Sequence, residues 1–216
     1  MKYMTMQSNK ALLFVNGEPP ERYPSNLENY AFIAATDGAY HNYLYTSPII
    51  PNYIIGDLDS FDKSRTIPSR TEIIHTPDQN KTDFEKAILF LANKGVKKFD
   101  IFGASGHASD HFLGNLSVAM HYYHRFDFTF YDNYCQFFFS KKQQTIYDIK
   151  NHTISFIPMS KVTNLTITGV KYPLSNATLT LRGFTSLRNK AIKNSVEISF
   201  KNGHLLVFVE NKSIQD

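Results

Sequence analysis

Pro51-Asn52-Tyr53-Ile54-Ile55-Gly56-Asp57-Leu58-Asp59-Ser60 is the stretch on which the reading of this chain turns. Tyr53-Ile54-Ile55 is an apolar, β-branched run that stops at a glycine, the pattern of a buried strand at its carboxyl end. Gly56 permits a sharp exit from the sheet. Asp57 and Asp59 follow two positions apart, so in an extended segment their carboxylates project to the same side. At the carboxyl edge of an open α/β sheet, that side is where ligands bind. Two adjacent carboxylates repel unless a cation or protons neutralise them, and hard oxygen ligands favour Mg²⁺. The plainer reading is an Asp-turn closing a strand.

The flanking sequence repeats the pattern. Ala11–Val15 runs into Asn16-Gly17, Ala31–Ala35 into Thr36-Asp37-Gly38, and Glu72–Ile74 into His75-Thr76-Pro77-Asp78. Phe99–Phe102 ends at Gly103, and Phe126–Tyr131 at Asp132-Asn133. Near-continuous apolar strands belong to a sheet covered on both faces, so the first half reads as α/β with a mostly parallel sheet. One helix opens at Lys81-Thr82-Asp83-Phe84-Glu85, where Thr82 and Glu85 form a capping box and Asp83 occupies the first turn. Phe84, Ile88 and Leu91 keep helical spacing until Gly95. A second helix starts near Asp110 and runs toward His124, behind the glycine-rich turn Gly103-Ala104-Ser105-Gly106. Such a turn offers backbone N–H groups to a phosphate, although glycines serve any tight turn. His107 and His111 read as phosphate or surface contacts.

Beyond about Asp132 the pattern changes to short strands with polar turns. Gln144–Ile149, Thr153–Ile157, Val162–Thr168, Ala177–Leu181, Ser195–Phe200 and Leu205–Val209 fit an antiparallel sandwich or barrel. Asn202-Gly203 reads as a type I′ hairpin turn. The expected division is an α/β domain over 1–132 and an all-β domain over 133–216.

The 216 residues can bury a sizeable core, and 42% hydrophobic with 19% charged residues describes a globular protein rather than a disordered one. A single cysteine, Cys135, excludes an internal disulfide framework and fits a reducing cytoplasm; its aromatic neighbours favour a core thiol. Ala11–Val15 is too short an apolar run for a signal or a membrane span, so the expectation is a soluble cytoplasmic protein with no membrane partner. Residues 135–216 carry 11 Lys/Arg against 4 Asp/Glu, whereas residues 1–134 carry 12 against 15. The acidic front half suits metal coordination. The basic residues behind it are dispersed, which argues against nucleic acid.

Asp37, Asp57 with Asp59, Asp83 and Asp110 thus fall where strands end or helices begin, and parallel strands gather such ends along one edge. In order and spacing, Thr36-Asp37-Gly38, Gly56-Asp57-Leu58-Asp59-Ser60, Pro77-Asp78-Gln79-Asn80-Lys81-Thr82-Asp83 and Gly103-Ala104-Ser105-Gly106 with Asp110-His111 resemble the motifs of the thiamine pyrophosphokinases. Gly169-Val170-Lys171-Tyr172-Pro173-Leu174 extends the likeness into the second half. The resemblance implies an α/β ATP-binding domain, a thiamine-binding β-sandwich, a homodimer, and Mg²⁺-dependent transfer of diphosphate from ATP to the thiamine hydroxyl, with AMP leaving. It implies catalytic and metal-holding roles for Asp57, Asp59 and Asp83. It implies ATP contacts for Asp37, Gly38, Gln79, Thr82, Gly103, Ser105, Gly106 and Asp110, and thiamine contacts for Arg188 and Asn189. Arg188 stands where the family carries serine, and Asn80 replaces a frequent aspartate. Two other readings stay open: an Asp-x-Asp glycosyltransferase, and a nucleotide-binding module without turnover.

Overall fold

The computed structural model describes residues 8–59 and 65–211; Ser60 lies outside them. Contacts divide the chain into two compact units, Met1–Asn133 and Tyr134–Asp216.

In the first unit the described elements are β1 (Lys10–Phe14), β2 (Phe32–Thr36), α1 (Asp37–Asn42), β3 (Tyr53–Gly56), β4 (Glu72–His75), α2 (Asp83–Asn93), β5 (Lys98–Phe102), α3 (Ser109–Tyr122) and β6 (Asp127–Tyr131). The strands lie in the order β4-β3-β2-β1-β5-β6, each paired in parallel with its neighbour. The chain steps from β1 to β4 in one direction, then returns to β1's other side for β5. The crevice between β1 and β5 is therefore the topological switch point. Ala11, Leu12, Leu13 and Phe14 are all fully buried, so both faces of the central strand are covered. Leu12, Phe14, Ala35 and Ile54 pack with Ala39, Tyr40 and Leu44 into one core. β4 differs from the expected buried run: as the sheet's outer strand in this unit it leaves Ile73 38% exposed.

The helices follow their local signals. Thr82 Oγ1 accepts the Glu85 N–H at 3.2 Å, which caps α2. The reciprocal half of the capping box is absent among the described contacts, because Glu85 instead accepts the Tyr122 hydroxyl of α3 at 2.8 Å. Phe84, Ile88 and Leu91 form the buried stripe, and Gly95 (φ 93) ends the turn.

A buried carboxylate interrupts the apolar run of β5. Asp100, midway along β5 and 3% exposed, is held by Lys10 Nζ at 2.5 Å and by the Tyr30 hydroxyl at 2.7 Å. A buried carboxylate persists only with such donors. Burial and then the Asp100 hydrogen bond push the Tyr30 pKa well above that of a free phenol, which keeps its proton available to donate.

In the second unit the strands are β7 (Cys135–Phe139), β8 (Gln143–Tyr147), β9 (Thr153–Pro158), β10 (Val162–Thr168), β11 (Leu174–Leu179), β12 (Ser186–Lys190), β13 (Ser195–Ser199) and β14 (Leu205–Glu210). They form two antiparallel sheets, β12-β9-β14-β7 and β11-β10-β13-β8. Ile154, Phe156 and Val207 from one sheet meet Leu165, Ile167, Val196 and Ile198 from the other in a shared core. That is the sandwich form of the expected all-β fold. The Asn202-Gly203 hairpin is corrected. β13 and β14 belong to opposite sheets, so the turn carries the chain across the sandwich, and only Gly203 of the pair has positive φ (97). The alternation of buried residues, not the turn dipeptide, selects which strands pair.

Two outcomes test these cores. Tyr30→Phe removes one donor from Asp100 and should lower unfolding stability in urea by about 1–3 kcal/mol; no change would mean that Lys10 alone satisfies the carboxylate. Leu165→Ala, in the sandwich core, should cost about 2–5 kcal/mol in the same measurement.

Candidate active site

The acids come from successive strand ends. Asp37 follows β2 directly and is 4% exposed. Its carboxylate is held by backbone donors: the Gly38 N–H at 2.7 Å to Oδ1 and the Leu58 N–H at 3.1 Å to Oδ2. Leaving β3, Asp57 Oδ1 accepts the Asp59 N–H at 3.3 Å, and Oδ2 accepts Gln79 Nε2 at 3.1 Å. One oxygen from each of Asp37, Asp57 and Asp59 lies within 4.8 Å of the other two.

This meeting does not come from strand alternation, as the extended reading of Asp57-Leu58-Asp59 expects. Leu58 is in the left-handed region (φ 64), because its N–H turns back onto Asp37. Holding a leucine there costs on the order of 1–2 kcal/mol. Gly56 is required by close approach: a Cβ at that position would overlap the Asp37 carboxylate. Burial raises the Asp37 pKa, the Gly38 and Leu58 N–H groups oppose the rise, and the charges of Asp83 and Asp57 add to it. Asp57 shifts the other way. The Asp59 N–H, the Gln79 amide and, more weakly, the charge of Lys86 hold its carboxyl below the ordinary carboxylate range.

Asp83 stands outside the three-carboxylate group. At the start of α2 its Oδ1 receives Lys86 Nζ at 3.0 Å, and the same ammonium lies 3.9 Å from Asp57 Oδ2. Lys86 is 6% exposed and belongs to none of the motifs that the sequence singles out. The available signal is a lysine one helical turn after an aspartate, Asp83 and Lys86 at i,i+3. Gln79 is exposed and presented by a loop that Asp78 folds. Asp78 takes Lys81 Nζ at 2.6 Å and the Asn80 N–H at 2.9 Å, and these contacts bring its pKa to about 2.

The glycine-rich turn lies at the switch point. The carbonyls of Gly103, Ala104 and Ser105 are taken by the Gly17 N–H (2.7 Å), Asn115 Nδ2 (2.9 Å) and the Glu18 N–H (2.8 Å). Gly103 (φ 71) and Gly106 (φ 78) shape the turn, and Asp110 is exposed in the first turn of α3, accepting the His111 N–H.

In the second unit, Arg188 sits at a register shift in β12 with φ 48, its N–H donated to Ser155 Oγ at 2.9 Å. Its guanidinium is 3.5 Å from Glu210, and both line a cavity of about 350 Å³ with Tyr134, Ser155, Leu187 and Phe208. Cys135, expected in the core, is half-buried and lines the same cavity, because β7 keeps only Phe137 fully inside. Asn189 is buried beside Arg188; its amide accepts the Tyr172 and Lys190 N–H groups and donates to the Tyr172 carbonyl. It thereby fixes the Gly169–Leu174 segment.

A family model described as thiamin pyrophosphokinase, catalytic domain, matches residues 23–130, and one described as thiamin pyrophosphokinase, vitamin B1 binding domain, matches 138–205. A thiamine pyrophosphokinase of Bacillus subtilis is 30% identical over 172 residues, covering 76% of this chain and 80% of that protein. The chain belongs to the thiamine pyrophosphokinase family.

The solved structures agree. A crystal structure of the Bacillus subtilis thiamine pyrophosphokinase superposes with TM-score 0.78 at 26% identity, over 94% of this chain and 99% of that one. The thiamin pyrophosphokinases of Geobacillus thermodenitrificans (TM-score 0.77, 24% identity, 94% and 99% covered) and yeast (0.77, 17%, 94% and 86%) share the fold. The family accounts for both halves of the chain, which neither a lone Asp-x-Asp motif nor a bare nucleotide-binding module does.

The donor set fits Mg²⁺. Three carboxylate oxygens this close repel one another without a cation, and an all-oxygen set selects a hard one. Gly56→Ala should push the Asp37 carboxylate away, weakening divalent-cation binding by about tenfold or more at some cost in stability. Calorimetric titration of Mg²⁺ checks this, and unchanged binding would separate Asp37 from the metal site.

Proposed function

We propose that the chain transfers a diphosphate group from ATP to the hydroxyl of thiamine, with Mg²⁺ held by Asp57 and Asp59. The observation that carries this reading is the convergence of Asp37, Asp57 and Asp59 beside Asp83 in a member of the thiamine pyrophosphokinase family. The hydroxyl oxygen forms a bond to the β-phosphorus, the bond between that phosphorus and the oxygen of the α-phosphate breaks, the hydroxyl proton is released, and AMP leaves. Such transfer needs positioning and charge compensation more than covalent help from the protein. Bound Mg²⁺ supplies that compensation on the phosphate oxygens.

The protein's own groups supply the placement. Asp37 is the third carboxylate toward the metal, and Gln79 orients Asp57 through its 3.1 Å hydrogen bond. Asp83, at the start of the Thr82-capped helix, completes the acidic wall on the α2 side. Gly38 holds Asp37 through its N–H. The turn Gly103–Gly106, with Ser105, and Asp110 at the head of α3 line the nucleotide's path. Three successive carbonyls of that turn are bonded to Gly17, Asn115 and Glu18, which turns those oxygens toward protein donors and lessens their opposition to an anion there. For thiamine, Arg188 and Glu210 set the polar wall of the second unit's cavity and Phe208 the apolar one. Glu210 offsets the positive charge of the thiazolium. Asn189 acts by holding the Tyr172 segment.

The working form is proposed to be a cytoplasmic homodimer. Exposed Tyr172, Phe184, Leu187 and Ile192 on the second unit give it apolar surface to cover. No described helix is long and apolar enough to cross a membrane.

Purified protein with ATP, Mg²⁺ and thiamine should yield thiamine diphosphate and AMP in equal amounts; ADP as the nucleotide product would overturn the reading. Asp57→Asn and Asp83→Asn should each lower kcat/KM on the order of 10²-fold with the fold intact by circular dichroism, and near-normal rates in both would make those aspartates structural caps. Arg188→Ala should change the KM for thiamine by about tenfold with kcat little altered; a change in stability alone would remove Arg188 from the substrate site.

A further inference from the structure

Lys86 has no part in the reaction described above. Its side chain is 4% exposed, buried on α2 but off the stripe that Phe84, Ala87, Ile88 and Leu91 form. An ammonium is tolerated in such a place only when paired. Its partners are acids of the site, Asp83 at 3.0 Å and Asp57 at 3.9 Å. Asp57 is also one of the three carboxylates whose oxygens lie within 4.8 Å of one another. The cation that the chain carries and the cation that the carboxylates would bind therefore share Asp57.

A covalently attached positive charge at that distance has two opposite effects. It stabilises ionised carboxylates that would otherwise repel, and it opposes entry of a second cation beside the same carboxylate. A triphosphate changes the balance, because its oxygens give both the ammonium and the divalent ion a further anionic partner. We propose that Lys86 is a built-in counter-cation that keeps the nucleotide-free site weak for divalent ions and so couples metal loading to arrival of the nucleotide. The proposal rests on the reading of the acidic group as the metal–ATP site. Lys86 acts through Asp57 and Asp83 as a positioning residue, and the coupling is reciprocal: bound metal tightens the nucleotide by the same factor.

A purely structural lysine would behave in the opposite sense. If Lys86 only tied α2 to the turn after β3, its loss would leave Asp57 and Asp83 misplaced and would weaken metal binding.

Mn²⁺ binding to the full chain without nucleotide, followed by the electron paramagnetic resonance signal of the free ion, separates the two. Lys86→Met should bind Mn²⁺ about tenfold more tightly than the native protein, while Lys86→Arg, which keeps the charge, should stay within about twofold. With a non-hydrolysable ATP analogue present, the advantage of Lys86→Met should vanish or reverse. Equal or weaker Mn²⁺ binding by folded Lys86→Met in the absence of nucleotide overturns the proposal. If that variant does not fold, Lys86→Gln, which keeps a hydrogen-bond donor for Asp83, must show the same sign. Thiamine diphosphate and AMP formed by the native protein, with no tightening in the variant, sinks this inference alone. Absence of those products sinks the reading beneath it.

Discussion

The constraint behind the catalytic half is the repulsion among carboxylates forced together. Asp37, Asp57 and Asp59 bring oxygens within 4.8 Å of one another, with Asp83 near enough for its charge to act on Asp37. The chain answers that repulsion with donors rather than with distance. Gly38, Leu58 and Asp59 supply backbone N–H groups, Gln79 supplies an amide, and buried Lys86 supplies a full charge from α2. The result is a site held in place by donors of its own, so a metal and a nucleotide would meet groups already arranged. Preorganised groups of this kind cost no rearrangement at the moment of reaction.

The arrangement is paid for in local backbone strain and in side-chain choice. Leu58 adopts a conformation leucine avoids because its N–H is bound to a buried carboxylate, and Gly56 lacks a side chain because that carboxylate occupies the space. These are two consequences of one fact: Asp37 is buried at the end of β2, directly beside the exit from β3. Local departures from good backbone chemistry concentrate at functional sites for this reason. The interior of the sheet shows a second version of the same problem. Asp100 is buried in β5 and satisfied by Lys10 and Tyr30, away from the acidic edge.

The second unit solves a different problem. It has no described helix, and its stability comes from the alternating inward residues of two antiparallel sheets. Strand irregularity is used where polar groups must be presented: Arg188 sits at the register shift in β12 and turns toward the cavity that Glu210 and Phe208 also line. Asn189, one residue on, points inward and is occupied by the Tyr172 backbone. A one-residue step in a strand thus separates a cavity-lining group from one that fixes a loop.

The sequence by itself determines what depends on neighbours in the chain. Apolar runs that stop at glycine and aspartate mark the strands and their exits, Thr82 and Gly95 bound a helix, and the change of period after Asp132 marks the passage from α/β to all-β. The order of the acidic and glycine-rich motifs is enough to identify the family. Tertiary structure alone decides what depends on pairing across long separations. It joins Asp37 rather than Asp83 to the Asp57 and Asp59 oxygens, turns Leu58 out of the extended conformation, makes Asn202-Gly203 a crossing between sheets, and buries Lys86 between two aspartates. The physical reason is common to all four. Propensity and capping energies act within a few residues, whereas burial, charge repulsion and strand register are set by residues tens of positions away. Those long-range forces are the stronger ones, and they override the local preference where the two conflict.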